Sequence, residues 1–175
     1  MAHPLKMNDN FIPCPVAVGD ELYPNGIFVF NITKITEYIQ ESADRVALEE
    51  VAVSYFPKEF SSIDESYVDS VDISKPVVLA EISPGRYTLI DGHHRIEKAR
   101  RMGINSVRAY KLSVERHMRF LISKEAYVAY VGYWNSKLKG MRKMGRSYDN
   151  KKIKDTVGTK TAEPHEPDRN TRRYW

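Results

Sequence analysis

The chain has 175 residues, 42% of them hydrophobic and 29% charged, which suits one soluble core domain with an appendage and excludes two full domains. No apolar run approaches the roughly 20 residues that span a bilayer, and the opening Met1-Ala2-His3-Pro4-Leu5-Lys6 has no apolar signal core, so the expectation is a cytoplasmic protein without membrane contact. The net charge of +4 is uneven: residues 137–175 hold 12 Lys/Arg against 5 Asp/Glu, net +7, while the other 136 residues sum to −3.

Residues 1–26 contain four prolines and two glycines and read as an irregular N-terminal arm. Cys14, the single cysteine, lies between Pro13 and Pro15. It excludes an internal disulfide or a multi-cysteine zinc site, and with no base beside it reads as a structural or incidental thiol. Residues 27–35 are rich in β-branched and aromatic side chains and predict a strand. Tyr38, Ile39, Ala43, Val46, Ala47 and Val51 recur three or four apart and predict an amphipathic helix over 37–55, stopped by Pro57. Residues 58–74, with Ser61, Ser62, Asp64, Asp69 and Asp72, read as a loop or short helix.

Residues 76–91 predict strand, turn, strand around Ser83-Pro84-Gly85, and 106–111 a last strand. Ser113 and Ser123 are the predicted N-caps of helices beginning at Val114 and Lys124. Tyr127, Tyr130, Val131, Trp134 and Leu138 form an apolar stripe that packs either against the domain or against a second copy of it. The stripe is larger than one short terminal helix needs, which points to a two-fold homodimer with the tail crossing onto the partner. Beyond Gly140 no apolar period remains, so 140–175 read as a basic tail, solvated or in contact with nucleic acid.

The most informative stretch is residues 87–103. Tyr87 to Ile90 reads as a short buried strand, Asp91-Gly92 as a tight turn, and His93 to Met102 as a helix with Gly103 at its left-handed terminus. Open amides, the positive end of the helix dipole and the Arg95 guanidinium converge there, a device for phosphate or carboxylate. Gly92 lets the backbone approach an anion closely, and Arg95 offers a bidentate fork. His93 and His94 diverge by about 100° on a helix, so one faces the anion while the other packs or orients a neighbour. Asp91 caps the helix, acts as a base or binds a metal together with phosphates. His93 and His94 alone do not make a metal site.

Pro76-Val-Val-Leu-Ala-Glu-Ile, the Pro84-Gly85 turn, Tyr87-Thr-Leu-Ile-Asp-Gly-His-His-Arg and Ser106-Val-Arg-Ala-Tyr-Lys together resemble the ParB/sulfiredoxin-like fold. The resemblance covers roughly 27–112 and implies an α/β domain: a small mixed sheet with flanking helices, followed by an aromatic-rich helical extension (113–139) and the tail. It also implies that a Gly-x-x-Arg turn, here Gly92, His93, His94 and Arg95, holds nucleotide phosphates. Sulfiredoxins carry a cysteine two residues before the arginine, where this chain has His93, so sulfinic acid reduction is disfavoured. Partition proteins carry a Gly-Glu-Arg-Arg-like motif and a long helix-turn-helix domain, both absent from this sequence.

The Asp-Gly-His-His-Arg form is most similar to the nucleotide-dependent serine kinases. That similarity implies phosphotransfer to a small-molecule or protein hydroxyl, with Asp91 and His93 in the catalytic site. It also implies an acidic residue after the first strand, at Glu37 or, one turn later, Glu41. The cofactor expected is a nucleotide (ATP, ADP or CTP), with the Mg²⁺ that phosphoryl transfer usually needs. The competing expectation is a DNA-associated ParB-like protein, a nuclease or nucleotide switch, gripping the phosphate backbone with its tail.

Overall fold

The computed structural model describes residues 2–58 and 63–157, with side chains through residue 142. Two compact units divide the chain at Leu138 and Lys139. The first is a mixed α/β unit. Its strands β1 (Leu22–Asn25) and β2 (Phe28–Asn31) form an antiparallel hairpin, with Tyr23 opposite Phe30. Helix α1 (Ile32–Glu41) follows, then β3 (Ala47–Ala52), the single turn α2 (Glu65–Val68), β4 (Val77–Ser83) and β5 (Arg86–Asp91). Helix α3 (His93–Arg101), β6 (Ser106–Leu112), the turn α4 (Val114–His117) and α5 (Lys124–Val157) complete the order.

Four strands form one mixed sheet in the order β3-β6-β4-β5. The outer pairs are antiparallel and the central pair, β4 with β6, is parallel. Alternate residues of a strand point to opposite faces, and β4 is apolar on both. Val77 and Leu79 pack with Leu89, Ile96, Ala99 and Val107 under α3. Val78, Ala80 and Ile82 pack with Phe30, Ile35, Leu112, Tyr130 and Trp134 on the other face.

The sequence reading needs four corrections. The expected strand over 27–35 ends at Asn31, whose side-chain oxygen accepts a hydrogen bond from the Lys34 amide at 3.0 Å and caps α1. Ile32, Ile35 and Ile39 then fall on one buried helical face. The expected helix over 37–55 stops at Glu41, and Ala47–Ala52 pairs with β6, Val51 opposite Val107. Spacings of three and four are compatible with either state in a short segment, and pairing across the sheet decides it here.

The third correction concerns the tail, whose residues 140–157 continue α5; Lys, Arg and Met sustain a helix without an apolar stripe. Residues 158–175 lie outside the described residues, as do Ser61 and Ser62.

The fourth concerns the arm and the aromatic stripe, which belong to one core. The Leu5 amide donates to Asn135 Oδ1 at 2.8 Å, Asn135 Nδ2 donates back to the Leu5 carbonyl at 2.9 Å, and Trp134 Nε1 donates to the His3 carbonyl at 2.9 Å. Phe11 stacks on Tyr127 with centroids 4.0 Å apart. Trp134 is 1% exposed, and Tyr127, Tyr130, Val131 and Leu138 are buried with it. The stripe is therefore covered within its own chain, and the dimer argument built on it has no exposed face to use.

Candidate functional site

The strand–turn–helix at 86–103 forms as its local signals dictate. Gly92 is the N-cap of α3 with φ +102°. A Cβ there would lie 2.6 Å from Val77 Cγ1 and 2.9 Å from Arg95 Nε, so both backbone conformation and space require glycine. At the other end Gly103 has φ +69°. The Ile104 amide donates to the Ala99 carbonyl and the Gly103 amide to the Arg100 carbonyl, the paired bonds of a Schellman terminus.

No side chain caps the start of α3, and the residues of its first turn, at the positive end of the helix dipole, line the adjoining cleft. Arg95 stands on the first turn, with its side chain 16% exposed, and donates from Nη2 to Asp91 Oδ2 at 2.6 Å. Its Nε is buried and has no hydrogen-bond partner among the described residues. A buried donor without a partner costs roughly 1–3 kcal/mol.

The two histidines divide their roles. His93 lies against Tyr23, rings 6.0 Å apart and inclined by 20°, and burial holds its pKa below the usual histidine value. It is a neutral imidazole at physiological pH. His94 Nε2 accepts from the Asp64 amide at 3.0 Å, and its ring stands edge-on to Tyr67 at 5.2 Å. His94 therefore positions a wall of the cleft.

The rest of α3 holds that wall too. Lys98 donates to the Asp69 and Val71 carbonyls, Arg100 to the Pro57 and Lys58 carbonyls, and Arg101 pairs with Glu65 through two bonds of 2.8 Å. The cleft so enclosed measures about 1460 Å³ and runs along β5 to the Gly92–Arg95 turn.

Asp91, Gly92, His93, His94 and Arg95 line this one cleft, whereas Glu37 and Glu41 do not. Because β2 ends at Asn31, Glu37 falls on the second turn of α1. It accepts from Lys34 Nζ at 2.9 Å and lines a separate depression of about 340 Å³ with Glu41, Cys14 and Arg119. Burial pushes the Cys14 thiol up, leaving it protonated.

The carboxylate facing the motif is instead Glu21, which sequence reading missed. Its amide donates to Thr33 Oγ1 at 2.8 Å and its carbonyl accepts from the Ile32 amide at 2.8 Å, so the start of α1 sets its position. Burial first, then the Asp91 charge, raise its pKa, against the opposing pull of Arg95 and His94.

Two carboxylates, Glu21 and Asp91, thus share a cleft with a guanidinium and an uncapped helix start. Among the described residues no group of three potential ligands converges on a metal position, but Mg²⁺ commonly takes one or two carboxylates and completes its shell with phosphate oxygens and water. Comparison with protein-family models, with curated proteins and with solved structures finds no match for this chain.

Proposed function

We propose that the cleft binds a nucleotide, its phosphates on the turn from Gly92 to Arg95, and transfers the terminal phosphoryl group to a hydroxyl acceptor. The observation that carries this reading is the buried, unpartnered Nε of Arg95 beside a helix start that no side chain caps. Gly92 adds close backbone approach, and the resemblance of Asp-Gly-His-His-Arg to the serine kinases adds the reaction class.

In the step itself, the acceptor oxygen forms a bond to the terminal phosphorus as the bond to the bridging oxygen breaks. The shortened nucleotide leaves and the acceptor proton passes to a carboxylate. Glu21 is the base we favour, because a raised pKa brings a carboxylate nearer the working pH. Asp91, held by Arg95, orients that guanidinium and would hold any Mg²⁺ that accompanies the phosphates, leaving Glu21 free to take the proton. Such an ion would supply charge neutralisation at the phosphoryl oxygens. His93, neutral and stacked on Tyr23, packs the floor of the site.

A thermal-shift screen of ATP, ADP and CTP, each with and without Mg²⁺, tests the reading, since a ligand that binds only the native state raises the melting point. Absence of any shift at millimolar nucleotide would refute it. The DNA-associated reading is favoured by one observation, the net +7 of residues 137–175.

A further inference from the structure

We infer that the acceptor is an extended peptide segment bearing a serine or threonine hydroxyl, seated as an added strand on the open edge of β5. The inference rests on the phosphoryl-transfer reading for its chemistry but not for its binding site. β5 is the terminal strand of its sheet, and from Arg86 to Asp91 it lines the cleft that ends at the Gly92–Arg95 turn. The Tyr87 carbonyl points away from β4 into this space, where the Tyr55 hydroxyl donates to it at 2.9 Å. A carbonyl has two lone pairs, so a peptide amide can join that bond.

Outer strands are usually protected by proline, by lysines or by a covering element. β5 contains no proline and no lysine, and its edge opens on a cleft. Main-chain pairing along such an edge provides affinity, and pockets for alternate side chains provide selectivity.

Size and charge favour a peptide over a small acceptor. The cleft of about 1460 Å³ exceeds the roughly 300–1,000 Å³ that a small ligand occupies, leaving room beside a nucleotide. Its end remote from the motif, where Arg86 lies opposite Ser83 beside the hairpin turn, is lined by the Arg86 side chain, exposed and in no ion pair among the described residues. Tyr55 and Tyr67, each 55% exposed, line the same cleft. A free hydroxy amino acid at Asp91 would not reach Arg86 at the far end of β5.

The strand rise of about 3.3 Å per residue puts Arg86 about 17 Å from Asp91. The favoured peptide therefore has an acidic residue about five positions from its hydroxyl residue.

The probe is a set of end-blocked peptides with one central serine and an acidic, neutral or basic residue at each flanking position. Their binding to the full chain is measured without nucleotide. Peptides acidic about five positions from the serine should bind roughly tenfold or more tighter than their basic counterparts, the scale of one charge-assisted hydrogen bond. Arg86→Glu should reverse that order, and bound peptide should slow hydrogen exchange at the Tyr87 and Leu89 amides.

Nucleotide affinity, titrated separately on Arg86→Glu, should be unchanged. A binding order independent of flanking charge, an order that Arg86→Glu leaves intact, or unslowed β5 amides would each overturn the edge site. If peptides are selected as expected while no nucleotide binds, the edge site stands and the phosphoryl-transfer reading falls.

Discussion

Arg95, Gly92 and His117 each concentrate a physical demand on one side chain. Arg95→Ala removes the fork and the buried Nε together. Nucleotide affinity should fall by about 1.5–3 kcal/mol, the range for a hydrogen bond to a charged group, with little change in fold; isothermal titration of both proteins reads the difference. Gly92→Ala forces a side chain into φ +102° and against Val77, a backbone cost of roughly 1–3 kcal/mol before the clash is counted. A lower denaturation midpoint is the expected readout. His117 is fully buried between Phe30 and Tyr130, donates from Nε2 to the Glu81 carbonyl at 2.9 Å, and leaves Nδ1 without a partner. Burial lowers its pKa from 6.5 to about 4, against weaker opposing pulls from the Glu81 carbonyl and the Glu115 charge. Between those two values the unfolded chain binds a proton that the folded chain refuses, so stability should decline as pH falls from 6.5 toward 4, by roughly 3 kcal/mol in total. His93, also lowered by burial, acts in the same direction. Chemical denaturation across this window should show a shallower decline for His117→Gln, and an unchanged pH profile would remove His117 from the account.

At the level of elements, α5 depends on the arm that covers it. Trp134 fills the space among sheet, α1 and arm, and gives its indole N–H to the His3 carbonyl. Trp134→Ala should cost about 3–5 kcal/mol, the usual loss for a large buried aromatic, measured by urea unfolding. The elements also show why some of this was legible in the sequence and some was not. The motif unit was legible because its signals are local: two glycines at positive φ bracket α3, and the Tyr87–Ile90 strand is short and apolar. β3 was misread because, as an outer strand with most residues exposed, it carries no strict alternation of apolar and polar side chains. Glu21 was invisible because nothing near it in sequence ties it to Asp91. It reaches the cleft only because its backbone is bonded to Thr33 and Ile32. Glu37 was singled out from a strand boundary that the Asn31 cap moves forward. Likewise, the basic residues of α3 read as general helix character, but Lys98, Arg100 and Arg101 each hold a different part of the cleft wall.

For the molecule as a whole, the two functional readings place their chemistry in different parts of the chain. The cleft proposed to take a nucleotide, its carboxylates and the arm-covered core all fall within residues 1–138. The surplus positive charge falls in residues 137–175. A chain ending at Leu138 should therefore keep the melting behaviour and nucleotide affinity of the full protein, because it retains every contact described for the site. Non-specific duplex DNA affinity should behave in the opposite way. Each phosphate neutralised by a lysine or arginine releases counterions, so affinity falls with salt on a slope of about −0.9 per phosphate on a logarithmic scale. Binding carried by the C-terminal charges should weaken steeply between low and physiological salt and disappear in the shortened chain, while nucleotide binding through Arg95 does neither. Fluorescence anisotropy with a labelled duplex at several salt concentrations, beside nucleotide titration of both chains, separates the two. DNA binding that survives truncation would place the nucleic-acid surface on the α/β unit, and loss of nucleotide binding on truncation would make the C-terminal segment part of the site.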